Sequence, residues 1–225
     1  MIHTETVSDT EVHERAARSI ADALGAACEE RGRCSLALSG GTTPKAMFAR
    51  LAELDVPWES VDVFQVDERV APRGHPDRNL TLIERELGER VVGLHEMPVE
   101  VEDLETATER YAVLLEQRCG SPPAIDVVHL GLGTDGHTAS LVPGDPVLEV
   151  RDRWVAVTQP YEGYRRMTLT FPVLDEARLV MFLVTEAAKA NVLKATLEGD
   201  TSLPAARLRS RETIFFTTPG VSDAR

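Results

Sequence analysis

The stretch Gly131-Leu-Gly-Thr-Asp-Gly-His-Thr-Ala-Ser-Leu-Val-Pro143 sets three glycines within six residues immediately ahead of a histidine. Such a run suits neither a helix nor a strand interior; it gives up backbone order to aim a side chain. An imidazole, with an ordinary pKa of about 6.5, gives and takes protons near neutrality, so His137 is the acid/base candidate. Asp135, two residues earlier, is placed to orient the ring or raise its basicity. The plainer reading is a histidine whose hydrogen bond only shapes the loop. The glycines favour catalysis.

A second glycine-rich turn, Ser39-Gly40-Gly41-Thr42-Thr43-Pro44, joins a short apolar run to a stretch with helical spacing. Gly40 and Gly41 let the backbone approach an anion, the following helix turns free N–H groups toward it, and Thr42 and Thr43 add hydroxyl donors. The motif has neither the lysine of a Walker A loop nor the spacing of a dinucleotide fingerprint. Read alone, it is either a phosphate cradle or a tight strand-to-helix turn. The triplet Asp67-Glu68-Arg69 closes another apolar run. Charged strand ends are usually solvated, but His75 and Asn79 nearby build a polar, loop-borne cluster. His129 alternates within an apolar strand and reads as a satisfied core histidine, whereas His3, His13 and His95 have no supporting context. No set of His, Cys, Asp or Glu has metal-ligand spacing, so no metal or cofactor is expected. Ser39 and Ser140 lack the GxSxG elbow of a serine hydrolase.

The elements that must position these residues follow from periodicity. Ser8-Asp9-Thr10-Glu11 reads as a capping box. Behind it Val12, Ala16, Ile20, Ala23, Leu24 and Ala27 recur at helical spacing up to Gly32. Strands are expected at 34–38, 61–66, 125–130, 154–158, 167–171, 179–184 and 214–217. Helices are expected after Pro44, over 79–87, over 103–118 and from near Thr185, the last carrying Lys189. This alternation predicts an α/β fold with a mainly parallel sheet covered by helices on both faces. Ligands of such sheets lie beyond the carboxyl ends of the strands. Three of the unusual loops follow strands directly and so converge on one cleft, although far apart in sequence.

A chain of 225 residues suffices for one α/β domain spanning 1–225 with a substantial core. No linker, repeat or low-complexity tract divides it. The net charge of −13 opposes nucleic-acid binding, which needs a basic face, yet a few cations focused in a cleft can still hold a small phosphorylated ligand. Cys28, Cys34 and Cys119 form neither a CxxC pair nor an even-numbered framework and read as reduced thiols in or near the core. The opening MIHTETVSDTEVHE is acidic and lacks the apolar region of a secretory signal. No apolar run approaches the roughly 20 residues that cross a bilayer. A cytoplasmic protein without membrane partners is therefore expected, and a monomer, since no exposed apolar stripe stands out.

In this order the blocks SGGTTP, VDERVAPRGHPDRN and GLGTDGHTASLVP resemble the 6-phosphogluconolactonase family, with further similarity at Arg166-Met-Thr-Leu-Thr, Glu186-Ala-Ala-Lys189 and Leu203-Pro-Ala. The resemblance runs from about residue 34 to about residue 217. It implies a Rossmann-like three-layer α/β sandwich, shared with glucosamine-6-phosphate deaminases. It also implies hydrolysis of 6-phospho-D-glucono-1,5-lactone to 6-phospho-D-gluconate in the oxidative pentose phosphate pathway, without metal or cofactor. By position, Gly40, Gly41, Thr42 and Thr43 match the family's phosphate loop, Lys189 and Arg166 its cationic phosphate contacts, and His137 its water-activating base. Asp67, Arg69 and Asn79 match the polar wall around the sugar ring. Arg69 is then the candidate oxyanion donor, with Asn79 or a loop N–H as alternatives.

Two positions depart from the pattern. Arg78 stands where serine is common, which would change contacts to sugar hydroxyls. Glu186 stands where glycine often precedes the lysine helix; it either puts a negative charge beside Lys189 or faces away from it on the helix. The alternatives are a glucosamine-6-phosphate deaminase and a non-catalytic sugar-phosphate sensor. Deaminases of this kind typically carry Asp-Glu-Tyr where this chain has Asp67-Glu68-Arg69, and Asn-Glu-Pro where it has Ala139-Ser140-Leu141. An arginine suits a carbonyl oxyanion; it does not serve as the base that shuttles a proton between C1 and C2. Regulators of this fold usually add a partner domain, and none fits here.

Overall fold

The structure, a computed structural model, describes residues 1–222. In chain order the elements are β1 (Ile2–Thr6), α1 (Val12–Arg31), β2 (Cys34–Leu38), α2 (Lys45–Glu53), β3 (Val61–Gln65), β4 (Asp67–Arg69), α3 (Asn79–Leu87), β5 (Gly93–His95) and α4 (Leu104–Cys119). There follow β6 (Val127–Leu130), β7 (Val155–Val157), β8 (Arg166–Leu169), α5 (Phe171–Glu176), β9 (Leu179–Val184), α6 (Ala190–Leu197), β10 (Thr213–Thr217) and α7 (Pro219–Ser222). Seven strands form a parallel sheet in the order β1-β10-β9-β6-β2-β3-β5. β4, β8 and β7 form a separate antiparallel sheet.

The two-residue period of a strand divides the core into two layers. Leu36, Leu38, Val63, Val127, Met181, Leu183 and Phe216 pack with the apolar stripes of α1, α2 and α3. Their neighbours Ala37, Phe64, Val128, Val180, Phe182, Val184 and Phe215 enter a second core shared with α4, α5, α6 and the small sheet. Helices therefore cover both faces, and the three-layer α/β expectation holds. The chain leaves β2 toward β3 and β5, then returns to lay β6 on the other side of β2. The loops after β2 and β6 thus flank the point where strand order reverses, the usual ligand crevice of open α/β sheets.

Several local expectations need correction. Helix α1 starts at Val12 with Glu11 as its cap and no side-chain cap bond. The Ser8 hydroxyl instead donates to the Glu11 carboxylate, while the Ser8 carbonyl accepts from Glu11 N and Val12 N; the capping box does not form because the helix begins a turn too late for it. Cys28 and Cys34 are joined in a disulfide, not reduced. Gly32, at φ 74°, turns the chain back so that the last turn of α1 faces the start of β2, with the two Cα atoms 5.2 Å apart. Only Cys119 is a free thiol, and burial pushes its pKa up to about 11. β1 was absent from the expected strands because it is mostly exposed and shows no buried alternation; its ladder with β10 holds it. The strand expected at 167–171 ends at Leu169, since Pro172 fits the first turn of α5. Lys189 ends a 3-10 turn, Ala187–Lys189, immediately before α6. His95, unassigned above, bonds Asp62 at 2.7 Å. Among the described residues no helix is long and apolar enough to cross a membrane.

Candidate active site

Ten of the eleven site residues picked out from the sequence line one cleft of about 360 Å³: Gly40, Gly41, Thr42, Thr43, Asp67, Arg69, Asn79, His137, Arg166 and Lys189. The eleventh, Asp135, stands behind His137. The cleft lies at the strand-order reversal, and the two strands that meet there are tied across it. Ser39 Oγ, just past β2, and His129 Nδ1, in β6, share a hydrogen bond at 3.1 Å. His129 is the satisfied core histidine that its position suggested. Burial pushes its pKa down to about 3, which keeps the ring neutral.

The histidine loop is folded around its own side chain. Gly133 N donates to His137 O at 2.9 Å and Gly136 N to Gly133 O at 3.0 Å. Asp135 Oδ1 accepts from His137 Nδ1 at 2.6 Å and from His137 N at 3.1 Å, and its Oδ2 accepts from Tyr161 Oη at 3.2 Å. Burial works against ionisation of Asp135, but the backbone N–H, charge and ring of His137, with the Tyr161 hydroxyl, outweigh it and hold the carboxyl below its usual range. An ionised carboxylate can only accept, so Nδ1 carries the ring proton and Nε2 is left as the basic nitrogen. Gly133 is required by close approach: a Cβ there would sit 2.1 Å from His137 Nδ1.

Beside this pair runs a chain of buried hydrogen bonds. Ser140 Oγ donates to Asp67 Oδ2. Asn79 Nδ2 donates to Asp67 O at 2.8 Å and to Asp67 Oδ1 at 2.9 Å, and Asn79 Oδ1 accepts from Arg69 Nη1 at 2.6 Å. Arg69 Nη1 also reaches Asp77 O at 3.0 Å. Both amide protons of Asn79 are committed, so of the side chains in this wall Arg69 keeps N–H groups free to donate. The Ser140 hydroxyl is thus engaged with Asp67. Glu68, fully buried, takes N–H bonds from Arg69, Asn79 and Leu80 and so fastens the first turn of α3 to β4. Arg78 is its counter-charge, with Nε 2.9 Å from Glu68 Oε2 and Nη1 donating to Ala71 O at 2.8 Å. Arg78 is thus committed to holding Glu68 and the backbone at Ala71.

The remaining wall is cationic. The backbone N–H groups of Gly40, Gly41, Thr42 and Thr43 have no partner among the described residues. Gly40 also admits a neighbour, because a Cβ there would lie 1.9 Å from Asn79 Oδ1. Arg166 is buried, its guanidinium carbon 5.0 Å from the centre of the Tyr161 ring, and its Nε has no hydrogen-bond partner. Its Nη2 donates to Glu162 Oε2 at 2.9 Å. Lys189 Nζ donates to Glu186 Oε1 at 2.9 Å, and Thr43 Oγ1 donates to the same oxygen at 2.7 Å. The Thr43 hydroxyl first, then Lys189, hold the Glu186 carboxyl below its usual range.

Sequence reasoning did not find Tyr161, Glu162 or the part played by Glu68. Tyr161 and Glu162 sit on the turn between β7 and β8, a tight hairpin whose one signal is Gly163. Among the described residues no three or more His, Cys, Asp or Glu side chains are grouped to hold a metal ion.

The family model for glucosamine-6-phosphate isomerases/6-phosphogluconolactonase matches residues 7–216. A 6-phosphogluconolactonase from Synechocystis sp. is 39% identical over 188 residues, 80% of this chain and 78% of that protein. The crystal structure of 6-phosphogluconolactonase from Thermotoga maritima superposes with a TM-score of 0.87 at 28% identity, covering 97% of this chain and 100% of that one. A monomeric glucosamine-6-phosphate deaminase reaches a TM-score of 0.83 over 99% of this chain and 100% of its own, at 19% identity, a likeness of fold alone. With a family match over nearly its whole length, the chain belongs to the glucosamine-6-phosphate isomerase/6-phosphogluconolactonase family.

Proposed function

We propose that this chain is a 6-phosphogluconolactonase, hydrolysing 6-phospho-D-glucono-1,5-lactone to 6-phospho-D-gluconate in the oxidative pentose phosphate pathway. The observation that carries the reading is the Asp135–His137 pair in a cleft that also holds Arg69, Arg166 and Lys189. His137 Nε2 takes a proton from water as its oxygen attacks C1. The tetrahedral oxyanion is met by a free N–H of Arg69. Collapse breaks the bond from C1 to the ring oxygen, and the imidazolium returns its proton to that oxygen. Asp135 acts through His137 by fixing the tautomer and favouring the imidazolium. Lys189, Arg166, Thr43 and the N–H groups of Gly40–Thr43 hold the phosphate, so that remote binding energy orients the ester. A lactone is already an activated ester, and neither a covalent nucleophile nor a metal is required.

Arg69 favours this reading over deamination. The test is a paired assay of the purified protein: lactone hydrolysis above the spontaneous rate, and ammonia release from glucosamine 6-phosphate. Hydrolysis without ammonia is expected. Ammonia without hydrolysis overturns the proposal, and so does ligand binding with neither reaction, which would mark a sensor.

A further inference from the structure

Both cations assigned to the phosphate are already paired in the free protein. Lys189 holds Glu186, and Arg166 holds Glu162. We propose that Glu186 and Glu162 are internal counter-anions of the phosphate subsite, which the phosphate of the ligand displaces when it binds. The inference rests on the reading above that phosphate lies at Lys189, Arg166 and Thr43.

The burial of the partners sets which of them moves. The side chains of Lys189 and Arg166 are 15% and 3% exposed, whereas those of Glu186 and Glu162 are 47% and 64% exposed. The cations are fixed by their surroundings, while each carboxylate can swing into water and be resolvated there. Thr43 has a single O–H and cannot serve both anions, and an ionised carboxylate and a phosphate held at the same cations repel across a short distance. Glu186 also ties up the Thr43 hydroxyl, so a single displacement frees a cation and a phosphate-loop donor together.

The backbone at Glu162 points the same way. Tyr161 and Tyr164 exchange backbone hydrogen bonds across a two-residue turn in which Glu162 has φ 49° and Gly163 φ 85°. A turn with both central residues at positive φ favours Asn-Gly, and a glutamate there is uncommon. The conformation is kept where it delivers a carboxylate to Arg166. In the free cleft two cations face two carboxylates; in the complex the same two face a phosphate of nearly two negative charges. Binding is thus an exchange of anions. It moderates affinity for the phosphate, which the product retains, and so hastens product release.

The experiment is calorimetric titration of 6-phospho-D-gluconate into the wild type, Glu186→Gln, Glu162→Gln, the double variant and Lys189→Ala. Both glutamates are well exposed, so the glutamine variants keep the fold. If the paired state occupies the free protein about 80–90% of the time, removing it tightens binding about five- to tenfold at each site, and KM falls in parallel. A crystal of the complex should show the Glu186–Lys189 contact of 2.9 Å opened. Binding that depends on Lys189 but is unchanged or weakened in both glutamine variants overturns the displacement alone. Binding that ignores Lys189→Ala overturns the phosphate reading with it.

Discussion

Gly133→Ala tests whether the imidazole must stand where the loop puts it. The added Cβ would fall 2.1 Å from His137 Nδ1, 2.3 Å from Cε1 and 2.7 Å from Asp135 Oδ1. Ordinary contact begins near 3.5 Å, so the ring must retreat by roughly 1–1.5 Å or abandon Asp135. Gly133 does not have a positive φ, so the backbone accepts alanine. The His137 side chain is 24% exposed and can yield toward the cleft, which keeps the stability cost to roughly 1–3 kcal/mol. The catalytic cost is larger. A displacement of about 1 Å at a reacting group costs on the order of 10²-fold, and loss of a general base about 10²- to 10⁴-fold. We therefore expect kcat to drop by roughly 10²- to 10³-fold while KM stays within about threefold, because the cationic wall is untouched. The assay follows 6-phosphogluconate formation with spontaneous hydrolysis subtracted, beside thermal unfolding of the same sample. A folded Gly133→Ala protein with near wild-type kcat would refute the reasoning, since the base would then not need its place.

Three further outcomes follow from the same geometry. Asp135→Asn removes the acceptor that keeps the proton on Nδ1 and supplies an N–H that favours the other tautomer, so kcat should drop by about 10²-fold or more with binding of 6-phosphogluconate unchanged; a rate close to wild type would make Asp135 only a loop strut. His137→Ala should lower kcat, whereas Lys189→Ala should mainly raise KM; the same change in both parameters for both variants would mean the two residues do not divide chemistry from binding. For His129, burial places the folded pKa, about 3, below the value of about 6.5 in an unfolded chain. The unfolded chain takes up the proton first, so stability is full above pH 6.5 or so and declines toward pH 3, by about 1.4 kcal/mol per unit. Denaturant unfolding near pH 7.5 and near pH 5.5 should differ by about 1.4 kcal/mol more in the wild type than in His129→Gln; equal pH dependence would show that the ring is not held neutral by burial.

Much of the cleft's lining was legible because it comes largely from loops that directly follow buried strands. β2 and β6 are short apolar runs, and what comes after each is glycine-rich and polar, so the loops announce themselves locally. Asn79–Leu87 and Leu179–Val184 match their expected limits for similar reasons, one with a strong apolar stripe and the other almost wholly buried. What was not legible depends on partners distant in sequence or on backbone geometry. β1 draws its order from β10, more than 200 residues away. The Cys28–Cys34 bond depends on the left-handed turn at Gly32 rather than on cysteine spacing. Glu162 reaches Arg166 only because a hairpin folds the two together, and no periodicity reports that.

Gly40 has a packing role that the local reading does not give. Its place in the loop suggests an anion, and its N–H is free to serve one. Yet the close contact that forbids a side chain there is Asn79 Oδ1, the same oxygen that holds Arg69. The loop that would grip phosphate and the wall that would meet the carbonyl oxygen are therefore packed against each other at a single glycine. Likeness of fold does not reach this level, since a deaminase superposes with a TM-score of 0.83. In the proposed reading the side chain at position 69 would separate the two chemistries, and here Asp67, Asn79 and the missing Cβ of Gly40 hold Arg69 as a hydrogen-bond donor.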